Sequence, residues 1–121
     1  MSAIAAVTCA LVLGMAAPSC ADSESSTAAA SVYAKRIGVD PSKSDVSVEM
    51  GPCSLSEWLK ANPKILPPDH KSRVMKAVGG RTVTVVKFAP RLRPGEIAVG
   101  GLLWVFVDSS SCKVLSAYGE K

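Results

Sequence analysis

The stretch Leu102–Val107, with the sequence LLWVFV, decides the fold. A continuous apolar run of this length is typical of a strand that is buried on both faces and therefore lies inside a sheet. The residues that follow it, Asp108–Ser111, favour a tight turn because Asp and Ser side chains bond their own backbone. Residues 112–118 then supply a return strand, so the sequence predicts a hairpin at its C-terminal end.

Two more strands are predicted upstream of this hairpin. Residues 81–88 are rich in Val and Thr, which are typical strand residues. Residues 45–50 alternate between apolar and polar side chains, which indicates a half-buried strand. A long connection over 89–101, with two Pro and three Gly, separates the second of these strands from the apolar run.

Three helices are predicted from spacing and capping signals. The first covers 28–37, where apolar residues recur at helical spacing: Ala29, Val32, Tyr33 and Ile37. Ser54 and Glu57 form a capping-box signature, and the helix behind it places Leu55, Trp58 and Leu59 on one side. Asp69 caps a third helix that ends at Gly79–Gly80 and turns inward Val74, Met75 and Val78.

This order of elements predicts an α+β domain. We expect an N-terminal helix and short helices packed on one face of a small antiparallel sheet that ends in a three-stranded meander. Trp58 and Trp104 are expected in the core. A chain of 121 residues leaves room for one such domain and one modest core.

The first 21 residues are interpreted as a secretory signal. An uncharged apolar run of about 15 residues is too short to span a membrane and fits the apolar part of a signal peptide. Cleavage after Ala21 would leave a flexible tether over 22–27 and a single domain over 28–121. The alternative is a lipoprotein signal over 1–19, with Cys20 as the acylated first residue. Either way we expect a periplasmic or secreted protein, lipid-anchored in the second case.

The cysteines agree with export. The chain has four, and removal of the signal would leave Cys53 and Cys112 as a pair in an oxidising compartment. We expect them to form a disulfide, with two free buried thiols as the alternative. These two cysteines and His70 lack the paired spacings of a zinc site, so no metal and no cofactor is predicted.

No catalytic constellation is visible in the sequence, and we expect no enzyme. His70 is the single histidine. It lies beside Asp69 at a predicted helix start, where adjacent side chains point apart. We interpret it as a solvated helix-start histidine.

The positive charge is concentrated in one part of the chain. The net charge is +4, but residues 60–93 carry nine basic residues opposed by Asp69 alone. Such a segment attracts an anionic partner if the side chains share a face. Arg91 and Arg93 in the long loop could present a fork to carboxylates or phosphates. The candidate binding residues are Lys71, Arg73, Lys76, Arg81, Lys87, Arg91 and Arg93.

The C-terminal third resembles small exported α+β proteins. The stretch Gly100–Asp108 and the strand Lys113–Leu115 are similar to the closing hairpin of the NTF2-fold immunity group and, less closely, of PepSY-type propeptide modules. Cys112 stands where that pattern has a turn glycine. The resemblance implies a protein that binds or inhibits other proteins, and it assigns no functional residue.

Taken together, the sequence predicts a small exported, non-catalytic binding or inhibitory module that recognises an anionic partner through a basic surface. The partner would be another protein or an anionic envelope surface. The alternative is an envelope lipoprotein with a structural or membrane-surface role. Nucleic acid is not expected as a partner, because export and the few aromatic residues argue against it. The oligomeric state stays open.

Overall fold

A computed structural model describes residues 23–92, 94–96 and 101–120. Helices precede and interrupt the sheet, as the predicted order requires. The elements are α1 (Ser23–Arg36), a 3-10 turn (Pro41–Lys43), β1 (Ser44–Ser54), α2 (Leu55–Ala61), α3 (Pro68–Val78), β2 (Thr82–Pro90), β3 (Leu103–Asp108) and β4 (Val114–Gly119).

The sheet is an antiparallel meander in the order β1-β2-β3-β4. Every residue of β3 is buried, as the apolar run predicts for an inner strand. Its side chains alternate between the two faces of the sheet, with Trp104 and Phe106 on one and Val105 and Val107 on the other. The α+β class is therefore confirmed, and the meander includes all four strands.

The helices cover both faces of the sheet, whereas the sequence predicted one. On the side that we call the α2–α3 face, residues of the two short helices pack against Trp104 and Phe106; they are Leu55, Trp58, Val74 and Val78. On the side that we call the α1 face, Ala30 and Ala34 pack against residues of β2 and β3, namely Val86, Phe88, Val105 and Val107. The reason lies in β2 and β3, which are apolar on both sides. Each side must be removed from water, so each needs its own helical cover.

Helix α1 begins at Ser23, five residues before its predicted start and within the predicted tether. Its buried stripe is Ser26, Ala30 and Ala34, all 0% exposed and spaced four residues apart. Val32 and Ile37, which were expected on the inner side, are 60% and 49% exposed. Small side chains at the contact allow the helix to lie close to the bulky residues of the α1 face.

Helix α2 has the predicted capping box. The Glu57 backbone N–H donates to Ser54 Oγ at 3.2 Å, and the Ser54 N–H donates to Glu57 Oε1 at 3.2 Å. These bonds satisfy donors that the first turn leaves without intrahelical partners. They fix the direction in which the chain leaves β1 and bring Trp58 into the core.

Helix α3 begins one residue before the predicted cap. Pro67 is its N-cap residue, Pro68 is its first residue, and Asp69 lies within its first turn. Proline suits the first position because that turn needs no N–H from it. Val74 and Val78 are buried, but Met75, predicted to point inward, is 48% exposed.

Strand β1 is longer than predicted and irregular. Its pairing with β2 shifts register between Val48 and Met50 and again between Met50 and Cys53. Gly51 lies at this point with a φ of +151°. A Cβ there would stand 2.7 Å from the Thr84 Cα, so the backbones of β1 and β2 approach closely only because this residue is glycine.

Candidate binding surface

Three of the predicted binding residues lie exposed on α3. They are Lys71, Arg73 and Lys76, and none makes an ion pair with any residue of the described ranges. Arg73 and Lys76 are three residues apart, so their side chains are neighbours on the helix surface. Asp69, four residues before Arg73, contributes no salt bridge within the same ranges. The helix therefore presents cationic groups that no carboxylate of the described residues pairs with.

Met75 adds an apolar side chain to this surface. It lies four residues after Lys71 and thus on the same side of α3. Together with Leu59 of α2, it lines a small cavity of about 140 Å³ that also borders Gly79 and Gly80. Cationic and apolar groups therefore occur side by side along this edge of α3.

Two other predicted residues are engaged within the chain. Arg81 Nε lies 3.9 Å from Asp108 Oδ2, and Lys87 Nζ lies 3.4 Å from Glu49 Oε1. Lys87 points to the α2–α3 face and is the strand neighbour of Trp104. These pairs reduce the charge that either cation presents to a partner.

Arg91 joins the start of β1 to the end of β2. Its Nε lies 3.3 Å from Asp45 Oδ1, and its Nη1 and Nη2 donate to the carbonyl oxygens of Ser42 at 3.4 Å and Ser44 at 3.1 Å. The guanidinium is thus committed to the chain itself, although the side chain is 59% exposed. Arg93, the other half of the predicted fork, lies outside the described residues.

The hairpin between β3 and β4 is closed by Asp108. The Ser110 backbone N–H and hydroxyl donate to Asp108 Oδ1 at 2.9 and 2.8 Å. These bonds, led by the backbone one, hold the pKa of the Asp108 carboxyl below its ordinary value. The ionised form of Asp108 therefore stabilises the predicted turn.

His70 is not the solvated residue that the sequence suggested. It is half-buried, and its ring packs edge-on against Tyr118 with the centroids 4.9 Å apart. Tyr118 in turn stacks on Trp104 at 6.1 Å. The His70 Nδ1 atom is buried and has no hydrogen-bond partner among the described residues. No local signal marks this contact, because it joins α3 to a strand far along the chain.

The predicted disulfide between Cys53 and Cys112 is wrong. Cys53 is a free, buried thiol. It packs on the α2–α3 face, whereas Cys112 packs on the α1 face, so the sheet lies between them. Cys112 has a φ of 64°, the conformation that favours the glycine expected there. Cys20, the candidate lipidation site, lies outside the described residues, as does the predicted signal.

The described ranges contain no group of three or more His, Cys, Asp or Glu side chains arranged to hold a metal ion. None of their helices has both the length and the apolar character needed to cross a membrane.

No protein-family model, curated protein or solved structure matches the chain. The resemblance of Gly100–Asp108 to exported immunity and propeptide modules therefore stays a prediction.

Proposed function

We propose that this chain is a small exported, non-catalytic binding module that recognises the acidic surface of a partner protein through α3. The observation that supports this is the set of exposed cations on one helix, Lys71, Arg73 and Lys76, without ion pairs in the described ranges. Charges of this kind accelerate encounter with an anionic surface and select against cationic ones.

The other cations in this part of the chain support the choice of α3 by contrast. Arg81, Lys87 and Arg91 each have a carboxylate partner within 4 Å. Breaking those pairs to bind a partner would cost part of what binding provides. Within the part of the chain that the structure describes, the α3 cations have no ion pair to break.

Met75 favours a protein over a lipid surface or a free phosphate as the partner. Its side chain is 48% exposed and lies beside Lys71. Methionine is flexible and polarisable, and it occurs often at protein-binding surfaces. An apolar side chain among cations fits a protein interface, where an apolar centre is surrounded by polar contacts.

The test reverses the α3 charges and compares the result with an equal reversal elsewhere. The test variant carries Lys71→Glu, Arg73→Glu and Lys76→Glu. The control carries Lys35→Glu, Lys43→Glu and Lys113→Glu, three exposed positions outside α3. Both variants have the same net charge. Binding of a fluorescent poly-glutamate peptide is measured by anisotropy at low and at physiological salt, and binding of phosphatidylglycerol vesicles by co-sedimentation.

We expect the α3 variant to bind the peptide at least about 10-fold more weakly than the control. Each exposed ion pair contributes about 0.2–1 kcal/mol, and three attractions become repulsions. Equal weakening by both triple variants would mean that net charge alone attracts the peptide. Vesicle binding that exceeds peptide binding and depends on α3 would assign the surface to membranes instead. Either result would overturn the proposal.

A further inference from the structure

Strand β4 forms an edge of the sheet that no other strand of the described residues covers. Its six residues, VLSAYG, include no charged residue and no proline. Soluble proteins usually protect exposed edges with charges, proline or bulges, because unpaired N–H and C=O groups invite another strand.

The opposite edge of the same sheet has these protections. Strand β1 carries Asp45, Glu49 and Pro52. Its two register shifts also interrupt the regular row of backbone groups. Strand β4 has one register shift against β3, between Phe106 and Val107, but its residues 116–119 pair with β3 in regular register. This regular segment, without charge or proline, singles out β4 as the edge suited to pairing.

The hydrogen bonds to β3 determine which groups of β4 face outward. The Glu120 N–H donates to the Leu102 carbonyl at 2.7 Å. Backbone groups alternate in direction along an antiparallel strand. Ser116 and Tyr118 therefore direct their N–H and C=O toward β3, and Ala117 and Gly119 direct theirs away from the sheet.

We propose that two copies of this chain pair through β4, antiparallel, with Tyr118 of each copy opposite Tyr118 of the other. In this register Ala117 of one copy lies opposite Gly119 of the second. Each such pair exchanges two backbone hydrogen bonds, so the outward groups of both residues are used on both copies. The contact is isologous, as in most homodimers.

The side chains around this register are compatible with a second copy. Ala117 and Gly119 are small, so they allow the strands to approach on the α1 face. On the other face, Tyr118 already stacks on Trp104 at 6.1 Å, and the second Tyr118 would extend this aromatic row across the symmetry axis. Aromatic cross-strand pairs stabilise sheets. The strand brings no like charges opposite each other.

The first test measures the mass of the full processed protein by sedimentation equilibrium. Ala117→Pro removes an outward N–H without removing a bond to β3. The matched control is Val46→Pro on β1, since the Arg91 N–H donates to the Lys43 carbonyl and the same alternation turns Val46 outward. We expect a dimer for the wild type and for Val46→Pro. For Ala117→Pro we expect the dissociation constant of the dimer to rise at least about 10-fold, because two hydrogen bonds across the interface are lost.

The second test does not require the proline variant to fold. In the proposed register the two Tyr118 residues form a non-hydrogen-bonded pair with Cα atoms about 4.5 Å apart, which a disulfide can span. Tyr118→Cys should therefore give a covalent dimer on mild oxidation. Ser116→Cys should not cross-link. In the proposed register Ser116 of one copy lies four positions along the strand from Ser116 of the other, which places the two Cα atoms about 14 Å apart. A monomeric wild type, a dimer that survives Ala117→Pro, or cross-linking through Ser116→Cys would overturn the proposal.

Discussion

The backbone of Gly51 lies so close to Thr84 that a Cβ on Gly51 would stand 2.7 Å from the Thr84 Cα and 2.8 Å from its Oγ1. Neither strand can move aside without disturbing the pairing of β1 with β2. We expect Gly51→Ala to lower the free energy of unfolding by about 2–4 kcal/mol, since overpacking adds to an unfavourable φ. Urea denaturation measures this. Gly38→Ala is the control, because that glycine has a φ of +94° but open space around it. It should cost only about 1–2 kcal/mol, and equal losses at both sites would contradict the role of the Thr84 contact.

Trp58 and Phe106 form the central aromatic contact of the α2–α3 face. Their ring centroids are 5.1 Å apart and the rings are nearly perpendicular, at 85°. Each substitution by Ala should cost about 3–5 kcal/mol, because both residues are fully buried. In a double-mutant cycle we expect a coupling of about 0.5–1.5 kcal/mol. The same cycle with Trp58 and Phe88, which lie on opposite faces, should be additive. A coupling of equal size there would remove the evidence for a direct ring contact.

The Asp108 turn makes stability depend on pH in the acid range. Because the folded state lowers the pKa of Asp108, this carboxyl stabilises the fold above its ordinary pKa of about 4. The contribution is lost as the pH falls through the lowered value. Asp108→Asn should therefore lower the melting temperature near pH 7 and have little effect at the acid end. The melting temperature of the wild type and of Asp108→Asn is measured by circular dichroism from acid to neutral pH. The difference between the two plots of melting temperature against pH isolates the contribution of Asp108. Curves that stay parallel throughout would contradict the assignment.

Cys53 should react slowly with alkylating reagents in the folded protein. Burial raises the pKa of its thiol, and the nearby Glu57 carboxylate raises it further. The thiolate is the reactive form, so its fraction at mildly alkaline pH is reduced. We expect modification by iodoacetamide at least about 10-fold slower than in urea. Ser56→Cys, at an exposed position of α2, supplies a fast-reacting comparison. A non-reduced peptide map that joined Cys53 to Cys112 would contradict the free thiol.

Elements defined by local signals were predicted well from the sequence. The apolar run of β3 is typical of a strand inside a sheet, and the Ser54–Glu57 capping box identifies the start of α2 by two short contacts. Both depend on residues that are adjacent or three apart. No knowledge of the remaining chain is needed to recognise them.

The buried side of α1 could not be read from spacing alone. The helix contains several alanines, so the stripe through Ala30 and Ala34 and the stripe through Ala29, Tyr33 and Ile37 both have helical spacing. The second stripe has the larger apolar side chains and is therefore the one that the sequence favours. The first stripe is the buried one, because its small side chains fit against the flat surface of bulky residues on β2 and β3. This choice is made by tertiary packing.

The candidate surface was predicted in part. The sequence identified the cations of α3, but it could not distinguish them from Arg91, which pairs with Asp45 46 residues away. A long-range pair of this kind depends on the register between β1 and β2. The exposure of Met75 was also missed, since Val74 and Val78 alone define the inner side of α3.

The start of α1 at Ser23 would keep the folded domain close to a lipid anchor, if Cys20 is acylated as the alternative signal predicts. Ser23 stands three positions after Cys20, and an extended chain covers at most ~3.6 Å per residue, or about 11 Å in all. An acyl chain on Cys20 would therefore hold the N-terminus of α1 at the headgroups and restrict the rotation of the whole domain. A chain cut after Ala21 would instead place its new α-ammonium group beside the positive end of the helix macrodipole, where Glu24 in the first turn offsets it. If the chain is exported, the choice of cleavage site would thus decide between an oriented domain at a membrane and one that diffuses freely.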